Sequence, residues 1–105
     1  MERPTITING NVIVMPEVKA RVWREVMQLE NDVPEIKKVA DFRNLDAIDK
    51  ICAVIAVAFG VSSDEVLDNL YIADVLPTYF GINAVIYSML TEKLSKKNAE
   101  DTLQH

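Results

Sequence analysis

Apolar residues recur along this chain with two periods, which divide it into a short N-terminal β segment and a longer helical part. Residues 5–15, TITINGNVIVM, alternate weakly around a central Asn9-Gly10 pair. Both residues of that pair tolerate positive φ, so Asn-Gly between β-branched residues is a strong hairpin signal. We therefore predict strands near 4–8 and 11–15. A lone hairpin is marginal in water, so this one must pack on the helices or pair with another chain.

The helical part begins after Pro16. One stripe at helical spacing predicts a helix that ends near Asn31-Asp32, and its members are Val18, Val22, Val26 and Leu29. Residues 33–44, VPEIKKVADFRN, have only a short apolar period, which fits either a helix or a loop.

The clearest helical pattern lies in residues 45–60, LDAIDKICAVIAVAFG. Val54 and Val57 widen its apolar stripe to nearly every side, so this helix should be central to the fold. If these two valines are exposed, they form an interface instead. Gly60 supplies the left-handed position that commonly ends a helix.

Two further helices are expected. Ser62 and Glu65 have the spacing of a capping box, which predicts a short helix that ends near Leu70. The last helix should start near Ala73, with Pro77 in its first turn or so, and its apolar period runs to Leu94.

The polar segment 96–105 loses the helical period and is predicted to be a disordered tail. The predicted fold class is therefore α+β, predominantly α. One small helical domain spans 1–95, in which an N-terminal β-hairpin is followed by four to five helices.

The net charge of −5 comes from one part of the sequence. Residues 44–81 hold six acids and one base, and that difference equals the net charge of the whole chain. No basic face is expected, so nucleic-acid binding is disfavoured. The acidic stretch fits either a solvated helix face or a docking patch for a basic partner.

Side chains suited to catalysis or metal binding are scarce. The single cysteine, Cys52, lies in an apolar run and is expected in the core, and the single histidine, His105, is the last residue. This composition gives neither a zinc site nor a Ser-His or Cys-His pair. The spacing of Asp64, Glu65 and Asp68 fits a solvated helix start better than a cation site. We therefore expect no enzyme, with no catalytic, metal or cofactor-binding residues.

No targeting or membrane segment is expected either. The first residues lack the apolar run of a signal peptide, and the longest apolar run, 51–59, is much shorter than the ~20 residues that a bilayer requires. We therefore expect a cytoplasmic chain without a membrane partner.

Ser62 and Ser63 raise one enzyme-associated alternative, an acyl-carrier-like domain with a prosthetic arm on a serine at a helix start. Such domains carry an Asp-Ser-Leu signature that this sequence lacks. A capping role explains the position of the serine fully.

The order of these segments resembles the G-type tail assembly chaperones of long-tailed bacteriophages and prophages of Gram-positive bacteria. The similar segments are KARVWR at 19–24, an apolar helix that ends in Phe59-Gly60, and DEVLDNL at 64–70 followed by DVLP at 74–77. Together with the hairpin they cover nearly all of residues 5–95, and residues 33–44 match least.

The resemblance implies a non-enzymatic protein that coats the tape-measure protein and recruits tail-tube subunits to it. It also implies a location in the cytoplasm of the bacterial host and absence from the mature virion. A long amphipathic client needs its apolar stripe covered, which a helical domain can do. Several copies on one client gain from multivalency, so a homo-oligomer fits as well. The alternative is a helical oligomerisation or regulatory module that binds another protein.

Six apolar or aromatic residues are candidates for contact with a partner, although each also fits a core role: Met15, Trp23, Met27, Tyr79, Tyr87 and Met89. For Trp23 the core role is favoured, because this residue flanks the apolar stripe of the first helix.

The resemblance further implies a second, longer product made by ribosomal frameshifting near the end of the reading frame. Lys96, Lys97 and Asn98 can be encoded with a slippery A-AAA-AAC heptamer, so their codons are the candidate frameshift site. The alternative is that Lys-Lys-Asn is simply a polar helix end.

Overall fold

A β-hairpin precedes four helices in the part of the chain that the computed structural model describes, residues 3–33 and 45–103, with side chains as far as residue 92. The elements are β1 (Thr5–Ile8), β2 (Asn11–Val14), α1 (Ala20–Asp32), α2 (Leu45–Phe59), α3 (Ser63–Asn69) and α4 (Ile72–Leu103). This order confirms the predicted α+β class, in which helices dominate. The choice between helix and loop for 33–44 falls almost wholly outside the described residues.

The hairpin forms as predicted because its turn has the right chemistry. Asn9 and Gly10 both have positive φ, 52° and 82°, as a two-residue turn that matches the strand twist requires. The strands are antiparallel, with Thr5 opposite Val14 and Ile8 opposite Asn11. The side chains of Ile6 and Ile8 are buried, so one face of the hairpin joins the core.

Helix α2 lies at the centre of the fold, since α1, α3 and α4 each pack against it. Ile51, Ile55 and Phe59 are buried along its length. Val54 is buried as well, whereas Val57 is partly exposed. The core role predicted for this helix is therefore confirmed, and the alternative interface role remains open only for Val57.

The ends of α2 and α3 follow their local sequence signals. Gly60 adopts φ 74°, and its N–H donates to the carbonyl of Ala56 at 2.9 Å, which completes the end of α2. Glu65 N–H donates to Ser62 Oγ, and Ser62 N–H donates to Glu65 Oε1, both at 3.1 Å. This is the predicted capping box at the start of α3.

Helix α4 differs from its prediction in two respects. It starts at Ile72, so Pro77 lies in the second turn and cannot supply the N–H that the carbonyl of Ala73 would accept. Its backbone remains helical through Leu103, past the predicted end near residue 95. Lysine, alanine, glutamate and leucine favour a helix without an apolar period, which accounts for the longer helix. Residues 104–105 of the predicted tail lie outside the described part.

The capping box gives a direct test of the fold. Ser62→Ala should lower the free energy of unfolding by about 1 kcal/mol, because the Glu65 N–H loses its acceptor. Ser63→Ala is the matched control, since Ser63 is the first helical residue and takes no part in the box. Urea denaturation of both variants measures the difference, and equal losses would contradict the capping role.

Candidate partner-binding surface

Helices α1 and α4 leave an apolar groove between them where both pack against α2. The groove has a volume of about 200 Å³. Its lining comes from the start of α1 and the middle of α4, and consists of Val18, Lys19, Ala20, Trp23, Ile86, Met89 and Leu90. Lys19 is the one charged residue in this lining. We call this feature the α1–α4 groove.

The walls of the α1–α4 groove keep large apolar side chains in contact with solvent. Trp23 is 45% exposed, Met89 40% and Leu90 37%, while Ile86 is buried. A cluster of exposed apolar side chains around a depression is typical of a site that binds another protein. The groove is therefore the strongest candidate binding surface among the described residues.

The α1–α4 groove lies between the start of α1 and residues 86–90 of α4. Glu30 lies near the opposite end of α1, outside this lining. At helical spacing Lys19, Trp23, Met27 and Glu30 share one side of α1. Met27 is exposed and continues the apolar wall one turn beyond Trp23. This side of α1 thus carries a cation beside the groove and an anion near the far end of the helix.

Two arginines beside Trp23 share a single carboxylate. Arg21 Nη1 and Arg24 Nη1 each lie 3.6 Å from Glu25 Oε1. Both guanidinium groups are mostly exposed, so these ion pairs contribute little to stability. They leave positive charge on α1 next to the α1–α4 groove, although the chain as a whole is acidic.

A buried polar pair lies on α4, before the residues that line the groove. Tyr79 Oη and Asn83 Oδ1 are both buried, and neither makes a hydrogen bond of standard geometry to a described residue. Burial raises the pKa of Tyr79; a longer contact with the Asn83 side chain opposes that rise, and the Glu30 carboxylate adds to it. The phenol therefore stays protonated at neutral pH, and its hydroxyl is costly to bury without a partner.

The structure divides the six predicted contact residues into groups. Trp23 and Met89 line the α1–α4 groove, and Met27 adjoins it. Tyr87 is exposed outside the groove. Met15 and Tyr79 are fully buried, so they occupy the core positions that the sequence left open and are not available to a partner.

Trp23 does not occupy the core position that the sequence favoured for it. Val22, Val26 and Leu29 fill the buried side of α1, and Trp23 lies about 100° around the helix from Val22. Sequence reasoning also missed Ile86 and Leu90 as groove residues. Both belong to the apolar period of α4. Such a period shows which residues share one side of a helix, but it does not show whether another element covers them or leaves them exposed in a groove.

A second, more polar groove of about 310 Å³ lies beside β1. Thr5 and Thr7 contribute one side, and Asn69, Tyr71, Asp74 and Thr78 are among the residues on the other. Asn69 also holds the hairpin turn, because its Oδ1 accepts the N–H of Asn9 at 2.8 Å.

Groups suited to metal or nucleophilic chemistry are not brought together in the described residues. No three His, Cys, Asp or Glu side chains in this part of the chain form a cluster that could hold a metal ion. Cys52 is buried, and burial raises the pKa of its thiol, which favours the unreactive protonated form. No helix in the described ranges is long and apolar enough to cross a membrane.

The residues encoded by the candidate frameshift codons lie in the last part of α4. Lys96, Lys97 and Asn98 have a helical backbone, and their side chains lie outside the described part. A helical end at this point is compatible with either interpretation of the segment.

No family model matches this sequence, and no curated protein or solved structure is significantly similar to it. The resemblance to the tail assembly chaperones therefore rests on the segments that carry it.

The unpartnered hydroxyl of Tyr79 predicts an unusual substitution effect. Tyr79→Phe should leave the free energy of unfolding unchanged or raise it by up to about 1 kcal/mol, because it removes a buried donor that bonds to no described group. Ile82 is a fully buried residue nearby on α4, and Ile82→Ala should lower the free energy of unfolding by about 2–5 kcal/mol. Urea denaturation compares them, and a loss above about 1 kcal/mol in Tyr79→Phe would show that the hydroxyl is bonded.

Proposed function

We propose that this chain is a non-enzymatic tail assembly chaperone that binds the tape-measure protein and promotes recruitment of tail-tube subunits. The proposal combines the resemblance of residues 5–95 with one structural observation, the α1–α4 groove and its exposed Trp23, Met89 and Leu90. It places the chain in the cytoplasm of the bacterial host and outside the mature virion.

A third helix is the occupant that best fits the α1–α4 groove. Two neighbouring helices on one core form a groove into which an amphipathic helix places apolar residues spaced at i, i+3 or i+4, and i+7. Trp23 provides a large anchor of the kind that contributes most to an interface. Met89 and Met27 adapt their shape to different side chains, which suits a client that presents many related turns.

The charges along α1 give this binding a preferred direction. Lys19 lines the groove, and Glu30 lies near the far end of α1, on the same side of the helix at helical spacing. A client helix should therefore place an acidic residue near Lys19 and a basic residue near Glu30. Such rim charges act mainly on orientation and on association rate.

A helical oligomerisation or regulatory module could use the same groove with a different occupant, so the identity of the occupant decides between these two functions.

The acyl-carrier alternative has less support, because Ser62 Oγ already accepts the N–H of Glu65. A mass increase on Ser62 or Ser63 in protein isolated from cells would favour the carrier.

Co-expression with a fragment of the tape-measure protein tests the proposal. Its gene is the very long reading frame expected downstream of this one. The chaperone should raise the soluble yield of the fragment, because its groove covers apolar surface that otherwise aggregates.

Two leucine variants assign that effect to the groove. Leu90→Gln should weaken binding of the fragment at least about 10-fold, since a buried leucine contact contributes roughly 1.5–3 kcal/mol. Leu67→Gln on α3 is the matched control, because Leu67 is 45% exposed, close to the 37% of Leu90, and lies outside the groove. No gain in soluble yield with the native chain, or equal losses in both variants, would contradict the proposal.

A further inference from the structure

The hydrogen bonds of the hairpin show which main-chain groups remain free. Met15 N–H donates to the carbonyl of Pro4 at 3.0 Å, so these two residues are a hydrogen-bonded pair. Bonded and non-bonded pairs alternate along an antiparallel ladder. Ile6 is therefore bonded to Ile13, while Thr5, Thr7, Val12 and Val14 belong to the alternate pairs. Their N–H and C=O groups point away from the partner strand, along the two outer edges of the hairpin.

The two edges differ in how they are covered. The edge of β1 faces the helices, since Asn69 bonds the adjoining turn and lines the polar groove beside Thr5 and Thr7. Within residues 3–33 and 45–103 the edge of β2 has no such cover, because β1 is the one element there with substantial contact to β2. Val12 is 68% exposed and Val14 57%.

The edge of β2 also lacks the features that usually prevent strands from pairing with other molecules. Such features are charged side chains, prolines and bulges. The strand Asn11–Val14 reads NVIV, without charge or proline. Its register with β1 runs from Thr5–Val14 to Ile8–Asn11 without a bulge. This free edge, with its two exposed valines, can therefore pair with a further strand.

We propose that a second copy of this chain pairs with this edge, β2 against β2, to form a four-stranded antiparallel sheet. In a two-fold arrangement centred on Ile13, Val12 lies opposite Val14 of the second copy, and Val14 lies opposite Val12. These are the residues with free outward groups, so each pair exchanges both of its main-chain hydrogen bonds. Symmetric pairing of this kind makes one surface patch complementary to itself.

The side chains fit the same arrangement. Val12 and Val14 project from the exposed face of the hairpin, so the two copies bring four valines together in one apolar patch. No charged residue lies within β2, so the seam brings no like charges together despite the net charge of −5. The nearest acid, Glu17, lies beyond Pro16, and its Oε1 is 3.8 Å from Arg3 Nη2 of its own chain. A second copy therefore fits this edge better than an arbitrary extended peptide.

Sedimentation velocity combined with residue-resolved amide exchange tests the dimer on the full chain alone. A monomer–dimer equilibrium should appear as the concentration rises to about 1 mM. The amide protons of Val12 and Val14 should become protected from exchange in the dimer, while those of Thr5 and Thr7 keep their monomer rates. A chain that stays monomeric throughout, or a dimer that protects Thr5 and Thr7 instead, would overturn the proposal.

A matched pair of lysine variants assigns the contact to the β2 edge. Val12→Lys places charges close together across the seam and should raise the dissociation constant at least about 10-fold. Thr7→Lys puts the same charge on the same exposed face, opposite Val12 but one strand away from the seam, and should leave dimerisation nearly unchanged. Circular dichroism checks that both variants fold. A folded Val12→Lys variant that dimerises like the native chain would overturn the proposal.

Discussion

Burial of α2 is the constraint on which the rest of the described structure depends. This helix is apolar on nearly every side, with Ile51, Ile55 and Phe59 in its core stripe and Val54 and Ala56 widening it. No single neighbour can cover such a helix, so α1, α3 and α4 each pack against a part of it. Because α1 and α4 both pack on α2, a gap remains between their solvent-facing sides. The α1–α4 groove is thus a consequence of how α2 is covered, and the exposed Trp23 and Leu90 mark where that cover is incomplete.

Ion pairs link the end of α1 to α2. Lys50 Nζ on α2 lies 2.9 Å from Asp46 Oδ2 and 3.3 Å from Asp32 Oδ2, the latter at the last residue of α1. The pKa of Lys50 is raised, first by its bond to Asp46 and then by that to Asp32. Because its pKa is raised, the contribution of Lys50 to this link is fully present at neutral pH and is lost as the pH rises through the raised lysine pKa. Lys50, the one base in the acidic stretch 44–81, thus joins α1 to α2.

Local signals predicted the fold well, and the candidate site less well, for a physical reason. Asn9-Gly10, Gly60 and the pair Ser62 and Glu65 each specify a backbone conformation through their own atoms, so the hairpin and the helix ends could be predicted. Exposure depends on how far neighbouring helices reach around a stripe, which no single segment encodes. For this reason the sequence left the place of Met15 open and favoured the core for Trp23, whereas Met15 is fully buried and Trp23 is 45% exposed. The length of α4 was missed because a polar segment can be helical by propensity alone.

The central claim is that the apolar face of a client helix enters the α1–α4 groove against Trp23. Trp23 is the single tryptophan of the chain, so its fluorescence reports on the groove alone. Titration with a tryptophan-free tape-measure fragment should move its emission to shorter wavelength and protect it from a soluble quencher, in proportion to the complex formed. A fragment that binds, as shown by sedimentation, while the emission and quenching of Trp23 stay those of the free chain would contradict the account.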